Sequence, residues 1–426
     1  MRKQWVRDWG RRLLLLALLV SAVLLLRHTG LYSGFRNQLK RSMSTRTEKT
    51  AGTDDVLPHP LEVMQPLAVT VQPGEGAGRW GAAYDAAQTA AAFQRFLVDL
   101  SEALGSAGAP VPQTQAELHA CMERSCVALH FAAPLRLELL SGWIGLEMTS
   151  AAAQEEVQML CLSASETEVL LCCRTQTGDG FACATAVHAE GFRGRTAEYV
   201  PNGTLYGWES ERLENGGESL LLSELPQIAA VKSTAPLPRG GETDGILTAL
   251  GMNSFVTSSY SESDGTVVYV SDETTMRIGA DGSVFFRRTG TPEAGGETSL
   301  TAAVARACRT AEQCLGPFLG SGALRFAGAT DNPSQRTRTV LFDYAVNGIP
   351  VRLATGHAAE LVLRGGEVVQ ARLALRQFTL TEDRTELLPC LQAAAIAARR
   401  NGRPELIYAD AGEATACMWV IADGQS

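Results

Sequence analysis

The run Leu13–Leu26, fourteen consecutive residues without a charge between Arg11-Arg12 and Arg27-His28, constrains this chain more than any other feature. Crossing the hydrocarbon core of a bilayer as a helix takes about 20 apolar residues, so the run is short by itself. Arg27 is placed to snorkel toward the far interface, and Leu31, Tyr32 and Phe35 prolong the stretch. Trp5 and Trp9 have the amphipathic rings that prefer the near interface. Residues 13–31 are therefore expected to form a single N-terminal transmembrane helix after a cytoplasmic tail at 1–12. A cleaved signal peptide has a similar basic start and apolar centre. Against that alternative, no small-x-small cleavage site follows, and the first cysteine, Cys121, is too distant to be lipidated. Five basic residues precede the run and six follow it by Lys49, so charge does not set orientation. A twelve-residue tail is easily retained, whereas long C-terminal domains translocate largely regardless of charge. The expected location is a bacterial cell membrane, single-pass, with the body outside the cytoplasm.

Eleven of the 37 Lys/Arg lie in residues 1–49, against two acids, leaving 26 basic and 44 acidic residues beyond, a formal −18. Such a body repels nucleic acid and anionic membrane surfaces, so nucleic acid is not an expected partner.

Residues 32–65, with Pro58 and Pro60 near their end and Pro66 just beyond, have no apolar periodicity and read as a stalk. A first domain is expected at 66–235 and a second at 242–426, divided by Pro- and Gly-rich Ser233–Gly241. In the first, Phe93, Phe96, Leu97, Leu100 and Leu104 follow helical spacing over Tyr84–Leu104. A second helix is expected near Gln113–Met122, with strands at 126–131, 157–162, 169–174 and 181–187. In the second, Ser299–Leu315 places Leu300, Val304, Ala307, Cys308, Ala311 and Leu315 on one helical face. Strand candidates there are joined by Asp264-Gly265, Asp281-Gly282, Asn347-Gly348 and Gly365-Gly366, which supply the positive φ of tight hairpins. Helices among runs of adjacent strands imply α+β architecture: two extracytoplasmic α+β domains with antiparallel sheets.

Chemistry-bearing motifs are missing. There is no G-x-S-x-G elbow and no H-E-x-x-H helix. Lys232 is the sole lysine after Lys49, which excludes a P-loop there. His119, His130, His188 and His357 stand singly, without the positioned partner that catalysis needs. Glu155-Glu156 and Asp54-Asp55 are adjacent and read as solvated acids. Asn202-Gly-Thr reads as a loop. The ten cysteines include no CxxC pair and sit mostly in apolar runs, as small buried hydrophobes do. In an extracytoplasmic body disulfides are permitted but not required. No catalytic, cofactor-binding or metal-binding residue is expected, and no cofactor.

Several stretches resemble the YycH/YycI group of membrane accessory proteins. They are Tyr84-Asp85 before the long helix, Val127–Gly145, Leu250–Asn253, Ser259–Gly265, Val267–Val270, Met276–Ile278, Asp281-Gly282 and Phe342–Pro350. The resemblance implies a single-pass, non-enzymatic regulator of the cell-wall-sensing histidine kinase of low-GC Gram-positive bacteria, with PepSY-like modules in the second domain. It implies as partners the kinase, contacted partly within the bilayer through residues 13–31, and a second accessory protein. An envelope protease inhibitor and a wall-polymer-binding protein stay open as alternatives.

Overall fold

Two large sheets, antiparallel but for one pairing, organise the described residues, and they differ in how many of their faces are covered. The computed structural model describes residues 60–175, 178, 180–213, 217–290, 299–412 and 415–423, which belong to one compact unit, Leu57–Ser426. The tail at 1–12, the transmembrane helix expected at 13–31 and most of the segment 32–65 lie outside the described residues.

The first sheet begins after helix α1 (Pro60–Val63), with Val63 and Met64, at the end of the segment read as a stalk, buried in the core. It takes strands β1 (Ala68–Gln72) and β2 (Trp80–Ala83), then, after helices α2 (Ala86–Arg95) and α3 (Leu97–Ser106), β3 (Val111–Gln113). Helix α4 (Gln115–Glu123), β4 (Ser125–Arg136), α5 (Leu137–Trp143), β5 (Glu156–Ala164), β6 (Val169–Thr175), β7 (Gly180–Ala184) and α6 (Ala189–Thr196) follow. The order is β2-β1-β4-β5-β6-β7-β3. Successive strand residues point to opposite faces. Val127, Leu129, Leu160, Leu162, Leu171 and Cys173 accordingly join the main core with Phe96, Leu100, Leu140 and Phe192. Their neighbours Cys126, Ala128, Cys161 and Cys172 pack on the other face against Leu118, Met122 and Tyr206.

The helix expected at Tyr84–Leu104 is two helices. Asp85 starts α2, its carboxylate accepting from the amides of Ala87 and Gln88 at 3.0 Å each. At Phe96 (φ −98°, ψ 5°) the chain bends, and the Phe96 amide donates to Phe93 at 3.2 Å. Apolar spacing continues across the bend, so periodicity alone does not reveal it.

The small hairpin β8 (Leu205–Tyr206) and β9 (Leu220–Leu221) precedes β10 (Ala229–Thr234) and α7 (Gly241–Ala249). The second sheet then uses β11 (Ser258–Ser261), β12 (Val267–Val270), β13 (Thr274–Ile278) and β14 (Ser283–Arg288). After α8 (Leu300–Leu315) come β15 (Gly322–Asn332), β16 (Thr337–Val346), β17 (Ile349–Leu353), β18 (Ala359–Arg364) and β19 (Glu367–Ala374). Strand β20 (Gln377–Arg384), α9 (Cys390–Ala398), β21 (Gly402–Asp410) and β22 (Thr415–Asp423) complete the described chain. The sheet has eleven strands, ordered β11-β12-β13-β14-β19-β18-β16-β17-β21-β22 with β15 also on β16, while β20 pairs with β10. Its pairings are antiparallel except β17 with β21. Helix α8 is capped by Ser299, which accepts from the Ala302 amide at 3.2 Å, and buries all six residues assigned to its inner face. At the β16–β17 turn Asn347 and Gly348 both have positive φ, 49° and 81°.

The α+β expectation, with its PepSY-like modules, is corrected: the described residues are mostly β, 41% strand against 26% helix. Part of the difference lies in strands that outrun their apolar stretch, as β4 at Ser125–Arg136 does against the expected 126–131, and part in strands with one buried residue or none. Phe378 is the single buried side chain of β20, and β11 has none; neither forms the apolar run that marks a strand in sequence. The single transmembrane helix is likewise unsupported: among the described residues no helix is long and apolar enough to cross a membrane.

Candidate functional site

The inner face of the second sheet is closed, with Met276, Phe286, Ala371 and Leu361 all fully buried. Its outer face at the β11 end exposes Tyr260, Arg277, Phe285 and Arg372 around Val268, which is buried. Register pairs Tyr260 with Val268, Val268 with Arg277, Arg277 with Phe285, and Phe285 with Arg372. Paired residues share a face, so these five side chains form one row across five strands. Tyr260 is 55% exposed and Phe285 36%. Arg372 lies over the Phe285 ring at 6.0 Å and faces Glu360 at 3.7 Å, while Arg277 pairs with Glu262. Exposed ion pairs of this kind contribute about 0–1 kcal/mol.

Strand β11 ends the strand order. Ser258-Ser-Tyr-Ser261 contains no charge and no proline, the usual devices that blunt a sheet edge. Just before it, Phe255 is 95% exposed and Val256 70%. Aromatic and arginine side chains beside an open edge are the composition of a protein-binding surface.

Of the described histidines, His188 and His357 stand apart, whereas His119 and His130 meet at one aromatic stack. His188 caps α6, its Nδ1 accepting from the Gly191 amide at 3.3 Å. His357 Nδ1 lies 2.7 Å from Asp343 on the surface. His119 stacks on Trp208 at 3.9 Å, and Trp208 on Tyr206 at 4.1 Å. The Tyr206 hydroxyl lies 2.8 Å from Thr70 Oγ1 and 2.9 Å from His130 Nε2. Burial first, and then the positive charges of Arg174, Arg403 and Arg79, push His130 down to about 3. Arg79 lies over the Tyr206 ring at 4.6 Å and pairs with Glu209. This stack fastens the 204–221 segment onto the first sheet.

A groove of about 200 Å³ beside β2 is lined by Asp85, Gln88, Asn202 and Glu224, among others. Its principal polar groups are already engaged. Asp85 caps α2, and Asn202 both accepts from the Gly81 amide and donates to the Gly81 carbonyl, at 3.0 and 2.8 Å. Asn202 thus acts as an extra rung on an edge strand, a role its sequence context does not announce. Among the described residues no group of three or more His, Cys, Asp or Glu is arranged to hold a metal ion.

Neither the protein-family models, the curated proteins nor the solved structures include a match to this chain, so the candidate site rests on geometry alone.

Proposed function

We propose that the chain is a non-enzymatic binding protein of a bacterial cell membrane, an accessory regulator of a two-component histidine kinase that controls cell-wall homeostasis. The observation that carries this reading is the open strand β11 and the adjoining row of Tyr260, Phe285 and Arg372. An extended partner segment pairs with the free edge through its backbone and gains specificity from side chains on the exposed face. Binding regulates the kinase when affinity differs between its conformations, and a tenfold difference shifts that equilibrium by about 1.4 kcal/mol. The apolar run Leu13–Leu26 supports association with the membrane, and the acidic body supports a protein rather than a nucleic acid as partner.

The test is photo-crosslinking of the full-length chain in native membranes, with benzoyl-phenylalanine at position 260 or 285, followed by mass spectrometry. Capture of a histidine kinase from both positions is expected. Combined Tyr260→Ala and Phe285→Ala substitution should lower affinity at least tenfold, the loss of roughly 1.4 kcal/mol or more typical of central aromatic contacts, with little change in melting temperature. Capture of a secreted protease or wall polymer instead, or of nothing from either position, overturns the proposal.

A further inference from the structure

Five strands bound the two large sheets, and one of them differs from the rest. Beside β2 the edge is already taken: Thr204 bridges Arg79, and the Asn202 amide occupies Gly81. Strand β3 is three residues long and contains Pro112. Strand β15 carries Arg325 and Asp331 and bulges between Phe326 and Gly328. Strand β11 offers four residues. Strand β22 offers nine, in unbroken register with β21 from Asp410–Thr415 to Gly402–Asp423. It has no proline, and no charged residue from Thr415 to Ala422. A long, regular, apolar edge is an open template for another strand.

The two faces of β22 are treated differently. On one, Trp419 Nε1 donates to the Leu388 carbonyl at 2.9 Å, and its ring meets Tyr84 edge-on at 5.9 Å. Strand β10 reaches the same face, where Ser233 donates to Asp410, the cross-strand partner of Thr415. On the other face Met418 is 41% exposed although its partner on β21, Ile407, is buried. Ala416 is exposed there and Val420 half-buried. Cover on that face stops one strand short of the edge, while the opposite face holds the strand in shape.

We propose that β22 is a dimerisation edge, pairing antiparallel with β22 of a second copy of this chain across a twofold axis at Trp419. That register is the one that pairs all nine residues. It sets Met418 opposite Val420, Cys417 opposite Ile421 and Ala416 opposite Ala422 of the second copy, apolar against apolar each time. The strand's one acid, Asp423, falls opposite Thr415. Like charges directly opposed destabilise a strand pair, and a chain of formal net charge −9 approaches itself at least cost where charge is absent. A twofold repeats every contact, the self-complementarity that isologous dimers need. Nine residues at about 3.4 Å each give a contact about 30 Å long. Strand β11 lies at the other end of the strand order and stays free, so the dimer is independent of the binding face proposed above.

The test is the mass of the full-length protein in mild detergent, by light scattering after size-exclusion chromatography at micromolar concentration. A dimer is expected. Met418→Lys with Val420→Lys places lysines opposite each other twice and should weaken the dimer at least tenfold, leaving a monomer with an unchanged circular-dichroism spectrum. A differently tagged chain with Met418→Glu and Val420→Glu should also be monomeric alone. Mixed, the two variants should re-form a heterodimer, because each lysine then faces a glutamate; this recovery excludes misfolding as the cause of the loss. A monomeric wild type, a dimer that survives the lysine pair, or a failure of the mixed variants to associate overturns the proposal.

Discussion

Glu312 should make the protein less stable as pH rises through neutrality. It lies on α8 with 6% of its surface exposed. Its Oε1 accepts a weak hydrogen bond from the Cys308 thiol at 3.7 Å, and its Oε2 has no partner. Burial dominates and lifts the carboxyl from 4.5 to about 7; the Glu62 charge adds to the rise and the Cys308 bond opposes it. The folded chain therefore keeps this proton to about pH 7, whereas the unfolded chain releases it near 4.5. Between those values the folded state binds more protons, so stability falls with increasing pH. Below 4.5 the group contributes nothing to the slope, and above 7 the penalty is complete. At about 1.4 kcal/mol per pH unit, the interval gives a ceiling of about 3.5 kcal/mol, reduced to roughly 2 kcal/mol where solvent reaches the carboxylate. Glu312→Gln keeps the shape and removes the charge. Urea unfolding at pH 5 and pH 8, followed by tryptophan fluorescence, should show the wild type losing about 2 kcal/mol more than E312Q. Other carboxylates cancel in that difference. Parallel stability profiles for the two proteins would refute the assignment of a buried, neutral Glu312.

His130 should give the opposite slope. It stays neutral in the folded protein to about pH 3, while the unfolded chain takes up a proton near 6.5, so stability falls on acidification across that window. His130→Asn should flatten this part of a melting-temperature profile. Tyr206→Phe removes the hydroxyl shared with Thr70 and His130 and should cost about 1–2 kcal/mol in urea unfolding. Asp410, 3% exposed, accepts from Ser233 Oγ at 2.8 Å and faces Arg376 at 3.3 Å. Asp410→Ala strands that buried guanidinium and should cost about 3–5 kcal/mol, read as a lowered melting temperature or lost soluble yield.

Local features were legible where chemistry repeats at a fixed spacing. Ser299 followed by apolar residues at helical period marks α8, and Asp281-Gly282 marks a turn because Gly282 adopts φ 79°. Long-range pairing was not legible. Nothing near Val231 points to Leu380, its partner 149 residues away, and nothing near Val351 announces a parallel neighbour in Tyr408. The row proposed for binding has the same character: Tyr260, Arg277, Phe285 and Arg372 each look like ordinary outward strand residues until register aligns them. The adjacent Cys172 and Cys173 looked equivalent, yet alternation sends one to the thiol cluster and the other to the main core.

The contrast between the sheets bears on why the proposed recognition surface lies on the second. Strands β5 and β6 contain Met159-Leu-Cys-Leu162 and Val169-Leu-Leu-Cys-Cys173, apolar without interruption because both faces are covered. Strands β13 and β14, in Thr275-Met-Arg-Ile278 and Ser283-Val-Phe-Phe-Arg287, alternate buried with exposed residues, the pattern of a sheet wet on one side. Phe285 is the exception in that pattern, an aromatic ring at an exposed position beneath Arg372. Folding gains little by leaving the ring partly in water, because burial of an aromatic side chain favours the core. A partner that covers Phe285 and Tyr260 recovers that burial, which ties the sequence exception to the proposed binding face.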